Sequence, residues 1–226
     1  TLAYFITGRT GLEFATVGSS VTLIWLPTGI AVAALFRWGW RYWPAVWLGA
    51  LWVNLAIGGT LLVSLGISVG NTLGPLLGVA LLRRWHFNPR ISSWSDVPVF
   101  VAGGAFLGMA VSATGGVATL ALDGLLPWSA TGTAWIVWWL GDSVGVVVAG
   151  MALVTFDRHE LTQLLRSGRR KELFVLASLV AVIGIAWVAI PANPFGYTFL
   201  ASSGLLALVW VTLRLGPFPS AIAVLT

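Results

Sequence analysis

Apolar runs about as long as a bilayer is thick recur along this chain, and beyond Arg9 its basic residues fall only in every second connection between them. A helix needs about 20 apolar residues to cross roughly 30 Å of hydrocarbon. The runs predict spans at residues 2–17, 21–37, 43–58, 61–82, 97–122, 133–156, 172–190 and 198–213, with the start of a ninth near Pro219. The connections after the second, fourth, sixth and eighth spans hold Arg37 and Arg41, then Arg83, Arg84 and Arg90, then Arg158, Arg166, Arg169, Arg170 and Lys171, then Arg214. The intervening connections have no Lys or Arg, only Asp123. Positive charge collects on the cytoplasmic side. Even-numbered spans should therefore end in the cytoplasm, and the N-terminus should lie there too.

Composition leaves lipid as the solvent. Of 226 residues, 58% are hydrophobic and 8% charged, against about a quarter charged in a soluble domain. The period-two alternation of a membrane barrel is absent, which predicts an all-α, polytopic helical bundle of about eight spans and a single domain over 1–226. The net charge of +5 would suggest nucleic acid in a soluble protein. Here the placement of the arginines explains it through orientation, so no nucleic-acid partner is expected. The absence of cysteine excludes disulfides and thiolate metal sites. His86 and His159 both sit in polar connections, which argues against a haem held within the membrane. No cleavable signal peptide is expected, since Thr1 opens directly into span-like sequence.

Polar residues inside the spans mark the candidate site, because an ionisable group there costs a few kcal/mol and usually serves a partner or a function. Asp142, in Trp138-Trp139-Leu140-Gly141-Asp142-Ser143, lies roughly 13 Å inward if its span begins near Thr133 and rises about 1.5 Å per residue. Asn71 reaches a similar depth. Asn54 and the break at Trp25, Pro27, Thr28 and Gly29 lie in the outer halves of their spans. Pro27 removes a backbone donor, and irregular backbone at membrane depth is tolerated only when buried in protein or lining a cavity. These features can line an outward-opening cavity with Asp142 as acceptor or counter-charge. They can equally be interhelical glue worth about 1 kcal/mol or less per bond, and Pro27 can be a plain kink. Trp135, Trp138 and Trp139 suit an interfacial aromatic belt or the wall of a ligand pocket. Arg9 and Glu13, spaced i, i+4, can pair, or Arg9 can snorkel.

Gly66, Gly70, Gly74 and Gly78 form a small-residue face at four-residue intervals, which suits close helix packing, with a dimer contact or substrate groove as the alternative. The same spacing recurs at Gly104 and Gly108 and at Gly141 and Gly145. No intramembrane His, paired carboxylates, P-loop or metal-ligand cluster is present. Neither an enzyme nor a cofactor site is expected.

Several motifs, in order, resemble a known family. Trp25-Leu26-Pro27-Thr28-Gly29-Ile30 approximates its Trp-Pro-Pro-Ser-Gly-Ile. Trp43, Pro44, Leu48, Gly49, Ala50 and Asn54 follow its Trp-Pro…Leu-Gly-Ala…Asn, and Gly70-Asn71-Thr72-Leu73, Trp139-Leu140-Gly141-Asp142 and Leu213, Arg214, Gly216, Pro217 match further motifs. The chain resembles the membrane-associated sensor domain of the first MASE type. Leu26 replaces the family's first Pro, and Gly74 stands where members commonly place Glu. The resemblance implies a sensory input unit of the bacterial inner membrane, in histidine-kinase (two-component) or cyclic-di-GMP signalling. It also implies homodimerisation, further spans beyond Thr226 and a cytoplasmic kinase or cyclase output module outside this chain. A small molecule, a lipid or a membrane protein is the expected signal. Two rival readings use the same residues: a substrate-binding membrane component of a transporter, and a ligand-free membrane scaffold.

Overall fold

In the computed structural model the residues described are 1–12, 25–157 and Ser178. The chain divides into two compact units, Thr1–Val154 and Thr155–Thr226, and the first of them holds the helical bundle. The expected spans at 172–190 and 198–213 and the start of a ninth near Pro219 lie outside the described residues. So do Glu13, the ends of the first two spans that flank residues 13–24, and the basic residues from Arg158 onward.

Every element among the described residues is helical. The helices are α1 (Leu2–Leu12), α2 (Leu26–Trp38), α3 (Trp43–Ala56), α4 (Leu61–Arg84), α5 (Asp96–Leu122) and α6 (Trp128–Thr155). The last three, of 24, 27 and 28 residues, are long and apolar enough to cross a membrane. At about 1.5 Å per residue they reach roughly 36 to 42 Å. The 13 residues of α2 and 14 of α3 are shorter than the expected spans. Pro27 explains α2: it occupies the first turn, where its missing N–H has no acceptor to lose. The expected break is thus the start of a helix. Gly39 closes α2 at φ 100°, with its N–H on the Leu35 carbonyl. Two helices widen into π-type turns, α5 over Phe100–Leu107 and α6 over Val146–Gly150.

Glycines bring backbones into contact. On α4, a Cβ at Gly70 would lie 3.2 Å from the Gly115 Cα, one at Gly74 3.1 Å from the Gly108 carbonyl, and one at Gly78 2.9 Å from the Gly104 carbonyl. Gly66 faces Thr119 in the same way. The four-residue stripe is therefore occupied by α5 within the chain. Between α2 and α6, a Cβ on Gly29 would overlap the Gly145 carbonyl, and one on Gly145 would overlap the Trp25 carbonyl. α1 lies over α3, with the Tyr4 ring on Gly49.

The arginines close the far end. Arg83 of α4 donates to the Leu35 and Phe36 carbonyls at the end of α2, at 3.3 and 3.2 Å. Arg37 of α2 donates to Leu153 and Val154 near the end of α6, both at 3.0 Å. Each cation donates to carbonyls in the last turn of a neighbour, at its negative helix end. The C-terminal ends of α2, α4 and α6 consequently meet at one end of the bundle, which matches the alternation of charge in the sequence. Large apolar side chains such as Leu61, Leu62 and Ile136 are exposed on the flanks, as a hydrocarbon solvent requires.

Candidate functional site

Asp142 is fully buried, 0% exposed, in the middle of α6. No cation pairs with it among the described residues. Hydroxyl groups from two other helices satisfy its carboxylate instead. Thr28 Oγ1, in the first turn of α2, lies 2.6 Å from Oδ1. Ser112 Oγ, on α5, lies 2.5 Å from Oδ2. Such lengths suit charge-assisted O–H···O bonds. The Trp138 indole, one turn earlier on α6, is a weaker polar neighbour of the same carboxylate.

The backbone explains how Thr28 arrives there. Trp25, still outside the helix, donates its N–H to the Gly141 carbonyl at 3.0 Å. Gly29 and Gly145 let α2 cross α6 backbone to backbone immediately beyond. The carboxylate thus sits beside the positive end of α2, where a negative charge is favoured. Asn71 of α4 joins from the other side, its Oδ1 3.0 Å from Ser112 Oγ. Pro75, one turn on within α4, has no N–H to return to the Asn71 carbonyl. Three buried polar atoms, Tyr4 Oη, Trp25 Nε1 and Ser64 Oγ, have no hydrogen-bond partner among the described residues. Tyr4 and Trp25 are buried in the same apolar core cluster.

The structure therefore gathers Trp25, Pro27, Thr28, Gly29, Asn71, Trp138 and Asp142. Two expected members lie elsewhere. Asn54 is buried, but its Nδ2 donates to the Ala50 carbonyl of its own helix at 2.8 Å, and its backbone carbonyl accepts from the Gly59 N–H at 3.1 Å. Trp139 turns to α5, donating from Nε1 to the Phe106 carbonyl at 2.9 Å, and stacks on Trp135 at 5.7 Å. Trp135 lines a separate open groove of about 300 Å³ with Trp128, Thr114 and Thr131. Ser112 and Tyr4 are members that sequence reasoning missed. Ser112 had a signal: it continues the four-residue stripe of Gly104 and Gly108, a hydroxyl where the pattern otherwise places glycine. Tyr4 had none beyond being a phenol in an apolar run.

Among the described residues no group of acidic, His or Cys side chains could hold a metal ion. The cluster offers one carboxylate held by hydroxyls from two other helices, an arrangement that can exchange hydrogen bonds or a proton.

A family model described as MASE1 matches residues 1–226. The chain is similar to the probable diguanylate cyclase DgcE of Escherichia coli (strain K12), at 26% identity over 222 residues. The match covers 95% of this chain and 19% of that protein, so the chain spans less than a fifth of that relative's length. No solved structure matches the chain.

Proposed function

The chain belongs to the MASE1 family of membrane sensor domains, and on that premise we propose that residues 1–226 form one sensory input domain of a bacterial signal-transduction protein. It lies in the inner membrane with its N-terminus in the cytoplasm and about eight spans. It passes its state to a cytoplasmic output module outside this chain, of the cyclase or kinase kind, which works as a dimer. The name of the relative, a probable diguanylate cyclase, supports a cyclase. Any catalysis belongs to that module.

One observation carries this reading: a buried carboxylate with no cation partner among the described residues, its two oxygens held by hydroxyls from α2 and α5. A group buried at such cost is seldom needed only for packing. Because its partners sit on separate helices, any shift of α2 or α5 against α6 must break or remake these bonds. The cluster is thus an element with two arrangements. A small ligand, lipid or membrane partner biases it only by binding one arrangement more tightly than the other.

Native mass spectrometry of the chain in nanodiscs, beside its Asp142→Asn variant, tests this directly. We expect a bound molecule in the natural chain that is lost from the variant. Two empty and equally stable proteins would overturn ligand sensing at Asp142.

A further inference from the structure

The open groove of about 300 Å³ lies between the end of α5 and the start of α6, opposite the arginines. Val117 and Ala121 line it from α5, and Trp128, Gly132 and Trp135 from α6. Ala121 and Thr114 stand about two turns apart, so the α5 wall is roughly 10 Å long. It runs in the direction in which the chains of a bilayer lie. The protein's own bonds hold the walls in place. Trp135 donates from Nε1 to Thr114 Oγ1 at 3.0 Å and stacks on Trp139, which is itself bonded to the Phe106 carbonyl of α5. A preorganised groove binds at lower entropic cost.

Its interior offers an occupant no hydrogen bond from a side chain. Thr114 donates its proton to the Ala110 carbonyl at 2.7 Å, and Thr131 donates to the Trp128 carbonyl at 2.8 Å. The Trp135 indole is committed to Thr114. A polar ligand would give up hydration there without compensation, whereas a hydrocarbon chain would give up none. The mouth is different. Trp128 is exposed, and its Nε1–H has no partner among the described residues. Asp123, two residues beyond Ala121, is exposed as well, and no cation pairs with it among the described residues. From Ile91 to Asp157 the sequence holds no Lys or Arg. Leu122 and Leu125 are exposed in the same connection, and with Trp128 they suit the headgroup level of a bilayer.

We propose that this groove binds one phospholipid whose headgroup carries an amine. One acyl chain lies along Val117 of α5 and between Gly132 and Trp135 of α6. The Trp128 indole donates to a phosphate or ester oxygen, and Asp123 faces the ammonium group. An anionic headgroup would meet the same carboxylate with no amine to offset it, so charge selects the zwitterionic lipid. The bound chain rests on Trp135, which with Trp139 ties α6 to α5, the helices that carry Asp142 and Ser112. The lipid site is separate from that cluster and stands whether or not the cluster senses a ligand.

Photolabelling of the full chain in nanodiscs of phosphatidylethanolamine and phosphatidylglycerol tests the site. Either lipid carries an aryl diazirine on its acyl chain, and the labelled residues are mapped by peptide mass spectrometry. Leu61 and Leu62, exposed on the flank at the start of α4, report the bulk bilayer. The groove should be labelled more than that flank, and more by phosphatidylethanolamine than by phosphatidylglycerol. The preference should be about two- to fivefold, the range of an exposed ion pair, and the flank should show none. Asp123→Asn should erase the preference and leave the groove labelled. Gly132→Leu, whose new Cβ meets nothing within 4 Å, should fill the groove and erase its labelling while the flank is unchanged. The Asp123→Asn comparison, in an exposed turn, stands even where Gly132→Leu fails to fold. Groove labelling no stronger than the flank would mean bulk lipid only and would overturn the site. So would a groove left unlabelled beside a labelled flank, equal labelling by the two lipids, or a preference that survives Asp123→Asn.

Discussion

Two buried carboxylates in this molecule have opposite kinds of partner. Asp96, at the start of α5, accepts from the backbone N–H groups of Asn88 at 3.3 Å and Ser93 at 2.8 Å, eight and three residues away. Asp142 accepts from side-chain hydroxyls 114 and 30 residues away, on two other helices. Asp96 braces a reversal in which His86 and Ile91 adopt positive φ, 56° and 47°, a costly conformation for a β-branched residue. Its bonds hold whatever the helices do. Those of Asp142 hold only while α2, α5 and α6 keep one packing. A carboxylate satisfied locally is a brace, and one satisfied across the bundle can register a change of packing.

Substitutions around the two carboxylates should differ accordingly. Gly145→Leu should act most strongly, because its side chain would have to enter the Trp25 backbone that brings Thr28 to Asp142. A loss of at least about 3 kcal/mol is expected, read as failure to fold in detergent. Gly132→Ala, where nothing lies within 4 Å of the new Cβ, should be near neutral. Next, Asp142→Leu leaves two buried hydroxyls without their acceptor and should cost about 2–3 kcal/mol in thermal unfolding. Asp96→Ala should cost about 1 kcal/mol, since two N–H groups of the preceding connection lose their acceptor, with faster amide exchange confined to that connection.

A double-mutant cycle of Thr28→Val with Asp142→Asn should then show coupling of about 1–2 kcal/mol, against nearly none for Asn88→Ala with Asp96→Asn. Asp96 is held by peptide groups, and the Asn88 side chain bonds to Ser92 instead, at 2.8 Å. Asn54→Ala should cost only about 0.5 kcal/mol, since its amide serves its own helix. A loss as large as that of Asp142→Leu would mean that Asn54 belongs to the site after all.

Depth was legible in the sequence, and direction around each helix was not. Apolar length and the alternation of charge locate the long helices and the end where the arginines gather. The rise per residue puts Asn54, Asn71 and Asp142 near one level. Which way each points depends on packing, and successive residues on a helix diverge by about 100°. Trp138 therefore turns to Gly116 and the interior, while its neighbour Trp139 turns to Phe106. Asn71 faces Ser112 because the glycine stripe of α4 presses its backbone onto α5. Asn54, in the last turn of α3, has no such neighbour and folds back on Ala50. Tyr4 was hidden for a different reason. Only the fold shows that Gly49 of α3 leaves room for its ring, and no spacing within α1 reports a vacancy on another helix.

Output activity of the full-length protein, carrying Asp142→Asn or Asp96→Asn at equal membrane abundance, separates a sensor from a brace. We predict that Asp142→Asn locks output in one state, unresponsive to conditions that regulate the natural protein, while Asp96→Asn preserves the regulated range. Normal regulation in Asp142→Asn, or equal loss in both variants, would contradict this and reduce Asp142 to a second structural brace.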